Sequence, residues 1–183
     1  TPLSLLDGRT GEYRVRTSAP ASVAGAFLGQ TLNFAPNEDG TVHTAIVGVP
    51  FETAPGIYPV TLIVTDAAGG QSPISANVQV NANNYGRDAV IRVTGDASVL
   101  LNEAVERQEL ELVSGLMSRF TPSRYFDAAF GLPAAATITS AFGSVRAYNN
   151  GEVRHVHTGT DFGGPPGAAI RAAAPRRVAM AGN

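Results

Sequence analysis

Close to the C-terminal end, the run His155-Val156-His157-Thr158-Gly159-Thr160-Asp161-Phe162 arranges two imidazoles and a carboxylate around a glycine. Imidazole nitrogen and carboxylate oxygen are the donors a catalytic zinc ion takes, three of them from protein with a fourth position left for water. His157 and Asp161 therefore make half of a candidate metal site. The same four-residue spacing suits a solvated loop whose aspartate caps its own backbone, so these residues by themselves leave both readings open. In an extended chain His155 and His157 project to one face. His155 could then replace a ligand, stack on a substrate or face solvent; ligation is the weakest of the three, because three donors this close in sequence crowd a tetrahedron.

The chain contains no cysteine. That excludes a disulfide framework and a thiolate zinc site, and leaves histidine and carboxylate as the available ligands for a transition metal.

Further residues around the histidines form an ordered pattern. Ile138-Thr139-Ser140-Ala141-Phe142-Gly143 comes first, then Arg146-Ala147-Tyr148-Asn149, then His157 to Phe162, then Pro166-Gly167 and Val178-Ala179-Met180-Ala181-Gly182. With its S-x-F-G, H-x-G-x-D and P-G elements in this order, the stretch 132–183 resembles the opening half of a lysostaphin/LytM-type zinc metallopeptidase domain, the M23 family. Ala168-Ala169 and Pro175-Arg176-Arg177-Val178 depart from that pattern without touching the two candidate ligands.

The resemblance implies a bacterial cell-wall hydrolase that binds Zn2+, with His157 and Asp161 as its first two metal ligands. It implies a substrate of peptidoglycan peptide, cut when a water activated by the metal attacks a peptide carbonyl. The third ligand and the H-x-H general base of the family fall downstream of Asn183, so no catalytic residue is expected within this chain. A second polypeptide carrying the rest of the peptidase domain is the expected partner. His155, Tyr148, Asn149, Gly163 and Gly164 are the candidates for the substrate groove, the glycines because backbone must approach an extended peptide closely.

Elements that position these residues are legible upstream. The chain has 183 residues, of which 44% are hydrophobic, with a net charge of -2 and a mean hydropathy of +0.04. This describes packed globular protein and offers no electrostatic footprint for nucleic acid. No apolar stretch approaches the roughly 20 residues that span a bilayer, so no transmembrane segment is expected. Thr1 in place of methionine, together with the resemblance, leads to the expectation of an extracytoplasmic chain whose signal peptide is removed or not included.

Between 11 and 80, short alternating segments separated by turn residues predict a sandwich. Strands are expected over 12–17, 30–35, 41–49, 57–65 and 75–80, with Gly40 taking positive φ in the turn after Asn37 and a hairpin loop at 66–70. The pattern around Pro55-Gly56-Ile57-Tyr58-Pro59-Val60 resembles a bacterial immunoglobulin-like module. His43 is expected to be solvated or hydrogen-bonded on its strand, and Asn37, Glu38, Asp39 and Asp66 do not complete a calcium loop. The spacing of Val105, Leu112, Leu116 and Phe120 predicts a helix over 101–120, capped by Asn102 or Ser98. Phe120, Tyr125, Phe126 and Phe130 are expected to plug a core.

The expected fold class is therefore mainly β. An immunoglobulin-like β-sandwich occupies 1–82, a linker strand, helix and wrapping arm 83–131, and the truncated N-terminal half of an M23-type peptidase domain 132–183. The expected function is part of a zinc-dependent peptidoglycan endopeptidase. The alternatives are a catalytically inactive envelope scaffold or regulator, and a cell-wall-binding β-sandwich protein.

Overall fold

The computed structural model describes residues 3–95, 102–121, 123–126, 129–149 and 153–181. Its fold is mainly β, with one helix among the described residues. The chain divides into two compact units, Thr1–Asn84 and Tyr85–Asn183.

The first unit is built from eight strands: β1 (Leu3–Leu6), β2 (Thr10–Arg16), β3 (Ala21–Phe27), β4 (Gln30–Asn33), β5 (Ala35–Pro36), β6 (Val42–Gly48), β7 (Gly56–Asp66) and β8 (Gln71–Asn81). They form a five-stranded sheet in the order β1-β8-β7-β3-β4 and a three-stranded sheet in the order β2-β6-β5. Alternation along each strand sends one set of side chains inward. Phe27, Leu32, Val60, Leu62, Val78 and Val80 from the larger sheet meet Val15, Ala45 and Val47 from the smaller one. Burying each of the larger side chains contributes about 1.5–3 kcal/mol, so this shared core is what holds the two sheets face to face.

The segment expected as one strand over 30–35 is two. Residues 30–33 pair with β3, whereas Ala35 and Pro36 pair with β6, so the chain changes sheets at Phe34. Asn37 enforces the following turn, its Oδ1 accepting from the amides of Thr41 at 3.0 Å and Val42 at 2.9 Å. Gly40 adopts φ 65° there, as its freedom from a Cβ allows. Asp66 does the same for the β7–β8 hairpin by accepting from Ala68 and Gly70. These carboxylate and amide oxygens serve turns.

Two expectations fail here for reasons of packing. His43 is not solvated: it is 1% exposed, facing the core between Val15 and Pro36 on the neighbouring strands, and its Nε2 has no hydrogen-bond partner among the described residues. The sequence places polar residues beside it, but strand alternation, not the neighbours' polarity, chooses the face. The aromatics after the helix do not plug a core either. Phe120, Tyr125 and Phe130 are exposed, and Phe126 packs edge-on against Phe130 under the guanidinium of Arg124.

In the second unit, α1 (Glu103–Met117) starts on Asn102, whose Oδ1 accepts from Ala104 N at 2.8 Å; Ser98 and Leu101 lie outside the described residues. An antiparallel hairpin follows, β10 (Val145–Tyr148) with β11 (Val153–Val156), and a second pair joins β9 (Ile138–Ser140) to β12 (Asp161–Phe162). Between the two units' boundary and α1, isolated parallel bridges join Arg87 to Val145 and Ile91 to Tyr148, beside β10.

Candidate metal centre

The residues of the S-x-F-G and H-x-G-x-D elements meet because the β10–β11 ladder continues past its formal ends. Gly143 N donates to His157 O at 2.7 Å, and His157 N donates to Ser144 O at 2.9 Å. Gly143 takes φ 85° and lies so close beneath Tyr85 that a Cβ would sit 2.0 Å from its ring. Only glycine meets both demands. The glycine of one motif thus fixes the backbone of the histidine in the other. Asp161 arrives from the other pair, opposite Ser140 on β9.

His157 is nearly buried, with 10% of its side chain exposed, and its Nε2 lies 3.3 Å from Asp161 Oδ1. That approach is not a hydrogen bond: Nε2 has no partner with the required alignment among the described residues. Two ligands each about 2.0–2.15 Å from a tetrahedral zinc lie roughly 3.3–3.5 Å apart. The observed separation matches that edge, and the orphaned nitrogen is the atom a metal would satisfy. His157 and Asp161 thus fit half of a zinc site, and no group of three His, Cys, Asp or Glu among the described residues completes one.

Arg146 reaches the other oxygen of the same carboxylate. Its Nη2 donates to Asp161 Oδ2 while its Nε donates to Asp88 Oδ2 at 3.2 Å. Asp88 also accepts from Ser140 Oγ at 2.5 Å. The Ser140 hydrogen bond holds the Asp88 carboxyl below its ordinary pKa; burial opposes this, and Arg146 and Ser144 reinforce it. For Arg146, burial acts to lower the pKa but the hydrogen bonds to Asp161 and Asp88 outweigh it and raise the value. The guanidinium is permanently charged.

The sequence reading missed Asp88, and quoted Arg146 without a role. Asp88 stands 52 residues from Ser140 and 58 from Arg146, a distance over which no spacing rule operates.

The candidate groove residues separate into two groups. Gly163 and Gly164 line an open groove of about 1090 Å³ that also borders Asp161, Leu132 and Arg171. Gly163 N donates to Thr137 O at 2.9 Å. Tyr148 and His155 instead lie on the hairpin, with their rings edge to face at 5.7 Å, and His155 Nδ1 is 3.2 Å from Glu106 Oε1 of α1. Asn149, at φ 52°, is engaged with backbone: its Oδ1 accepts from Val93 N at 3.0 Å.

No protein-family model matches the chain, and no curated protein matches it. Among solved structures it is similar to a Pseudomonas aeruginosa protein described as a candidate M23 peptidase, with a TM-score of 0.52 and 24% identity over 95% of this chain and 60% of that one. The GspB Siglec domain (TM-score 0.35, 15% identity, 62% of this chain and 69% of that one) and a Bacteroides ovatus mixed-linkage glucan utilization protein in complex with a heptasaccharide (0.25, 19%, 49% and 23%) are too distant to bear on the fold. The chain thus spans about 60% of the length of the Pseudomonas protein. Among the described residues no helix is long and apolar enough to cross a membrane. The chain has a mainly β fold similar to that of this candidate M23 peptidase.

Proposed function

We propose that this chain is part of a zinc-dependent peptidoglycan endopeptidase of the bacterial envelope, with His157 Nε2 and Asp161 Oδ1 as two of its metal ligands. The observation that carries the reading is the nearly buried, unpartnered Nε2 held 3.3 Å from the carboxylate oxygen. Remaining ligands and the general base come from outside the described residues, in the same natural protein or a second polypeptide. When bound, zinc would supply Lewis-acid polarisation and a water activated near neutral pH.

The residues of this chain have their own tasks in that scheme. The Gly143–His157 backbone bond positions His157, and Arg146 engages Oδ2 of Asp161 while Oδ1 lies towards His157 Nε2. The groove beside Asp161, narrow in side chains at Gly163 and Gly164, suits an extended peptide whose backbone must come close.

Zinc content of the natural protein, measured by plasma mass spectrometry, tests this. About one zinc per active unit is expected, lost together with muropeptide cleavage in His157→Ala and Asp161→Ala. Zinc content unaffected by either substitution would refute the ligand assignment, and a protein that binds none would be the metal-free envelope scaffold instead.

A further inference from the structure

We infer that Arg146, held by Asp88, is the positioning residue that makes Asp161 a one-oxygen ligand; the inference rests on the metal-site reading above. Three contacts form one chain of hydrogen bonds. Ser140 Oγ donates to Asp88, Asp88 receives Arg146 Nε, and Arg146 Nη2 holds Asp161 Oδ2. Asp161 Oδ1 is then the oxygen turned to His157 Nε2.

The geometry requires arginine specifically. A guanidinium carries donors on separate nitrogens in a rigid plane, so one group can engage Asp88 through Nε and Asp161 through Nη2 at once. Asp161 is 49% exposed along its side chain, whereas Arg146 and Asp88 are 18% and 22% exposed. The carboxylate with the most freedom to rotate is therefore tied to the partners with less. Ser140 has a double part, since its backbone also stands opposite Asp161 on the β9–β12 pair. This gives the S-x-F-G element two separate tasks: its serine sets the carboxylate ligand through Asp88 and Arg146, and its glycine sets the imidazole through the His157 carbonyl.

Tying up Oδ2 has a consequence for the metal. A carboxylate free to rotate can offer both oxygens, which consumes a position that water or substrate needs; one restricted to Oδ1 leaves it open. Outer partners of metal ligands typically contribute 10–100-fold in affinity.

The test is a zinc affinity measurement by competition with a chromophoric chelator on the complete natural protein, for the parent, Arg146→Met, Arg146→Lys and Asp88→Asn. Apo-protein melting is recorded for each, and the Co2+-substituted forms are compared by visible absorption. Arg146→Met is expected to weaken zinc about 10–100-fold. Arg146→Lys should restore little, because one ammonium lacks the fork. Asp88→Asn, which leaves every atom in contact with Asp161 in place, should weaken zinc in the same direction, and its effect should vanish in the Arg146→Met background. In the Co2+ form, Arg146→Met should shift the spectrum towards higher coordination as Asp161 swings to bidentate. Unchanged zinc affinity and Co2+ spectrum in Arg146→Met and Asp88→Asn, with a parent that binds zinc, would overturn the positioning role alone. A parent that binds no zinc would overturn the metal-site reading and this inference with it.

Discussion

Gly143→Ala provides the sharpest test of how the two motif elements are joined. A non-glycine residue in the left-handed region costs about 1–2 kcal/mol, and Gly143 stands at φ 85°. The new Cβ would lie 2.0 and 2.1 Å from Cδ1 and Cε1 of Tyr85, closer than any non-bonded carbon pair tolerates, so the ring must leave. Its departure forfeits the edge-to-face contact with Phe142, now at a centroid separation of 6.3 Å, worth about 0.5–1.5 kcal/mol beyond the buried area. The sum is a loss of about 1.5–3.5 kcal/mol, or roughly tenfold to a few hundredfold in the folding equilibrium of the second unit. The protein has no tryptophan, so urea unfolding followed by tyrosine fluorescence and near-ultraviolet dichroism is the appropriate assay. Tyr85→Ala removes the obstacle in advance, so Gly143→Ala made in that background should cost only the backbone part, about 1–2 kcal/mol. A Gly143→Ala protein within about 0.5 kcal/mol of its parent, or two substitutions whose costs simply add, would refute the argument that the ring presses on this backbone.

Two further outcomes follow from charge. Asp7, 6% exposed, accepts from Glu52 N at 3.2 Å and Asn83 N at 2.5 Å, so Asp7→Asn should cost the first unit about 1.5–3 kcal/mol by setting a donor against a donor; a urea midpoint equal to the parent's would contradict that role. Asp88 has a lowered pKa in the folded protein, owing first to the Ser140 hydrogen bond. A depressed carboxylate value gives stability that is fully present above the ordinary aspartate pKa of about 3.9 and is lost as pH falls through the folded value. The parent should therefore lose stability on acidification below about pH 4 more steeply than Asp88→Asn, as read from melting temperatures between neutral pH and acid; parallel curves would show that this carboxylate is not linked to folding.

What the sequence determined by itself was whatever depends on neighbours a few residues apart. The β-branched run 57–65 lies within β7, Asn102 caps α1, and Gly40 takes the left-handed turn, because propensity, capping and φ preference act over one to four residues. Two strands were not legible in this way. Ala21–Phe27 became a strand despite its small residues, since pairing with β7 and burial of Phe27 outweigh weak propensity, and Leu3–Leu6 is too short to announce itself yet pairs in parallel with β8. The candidate site divides in the same way. His157 and Asp161 were legible through their spacing, and their candidacy as metal ligands through a resemblance. That Nε2 has no hydrogen-bond partner, that Asp88 from far upstream holds Arg146, and that Arg146 claims one oxygen of Asp161 were decided by the tertiary structure alone. Such contacts depend on which strands lie side by side and which face of each is turned inward. A linear chain encodes that choice only through the whole set of competing burials, and no single motif within it reports the result.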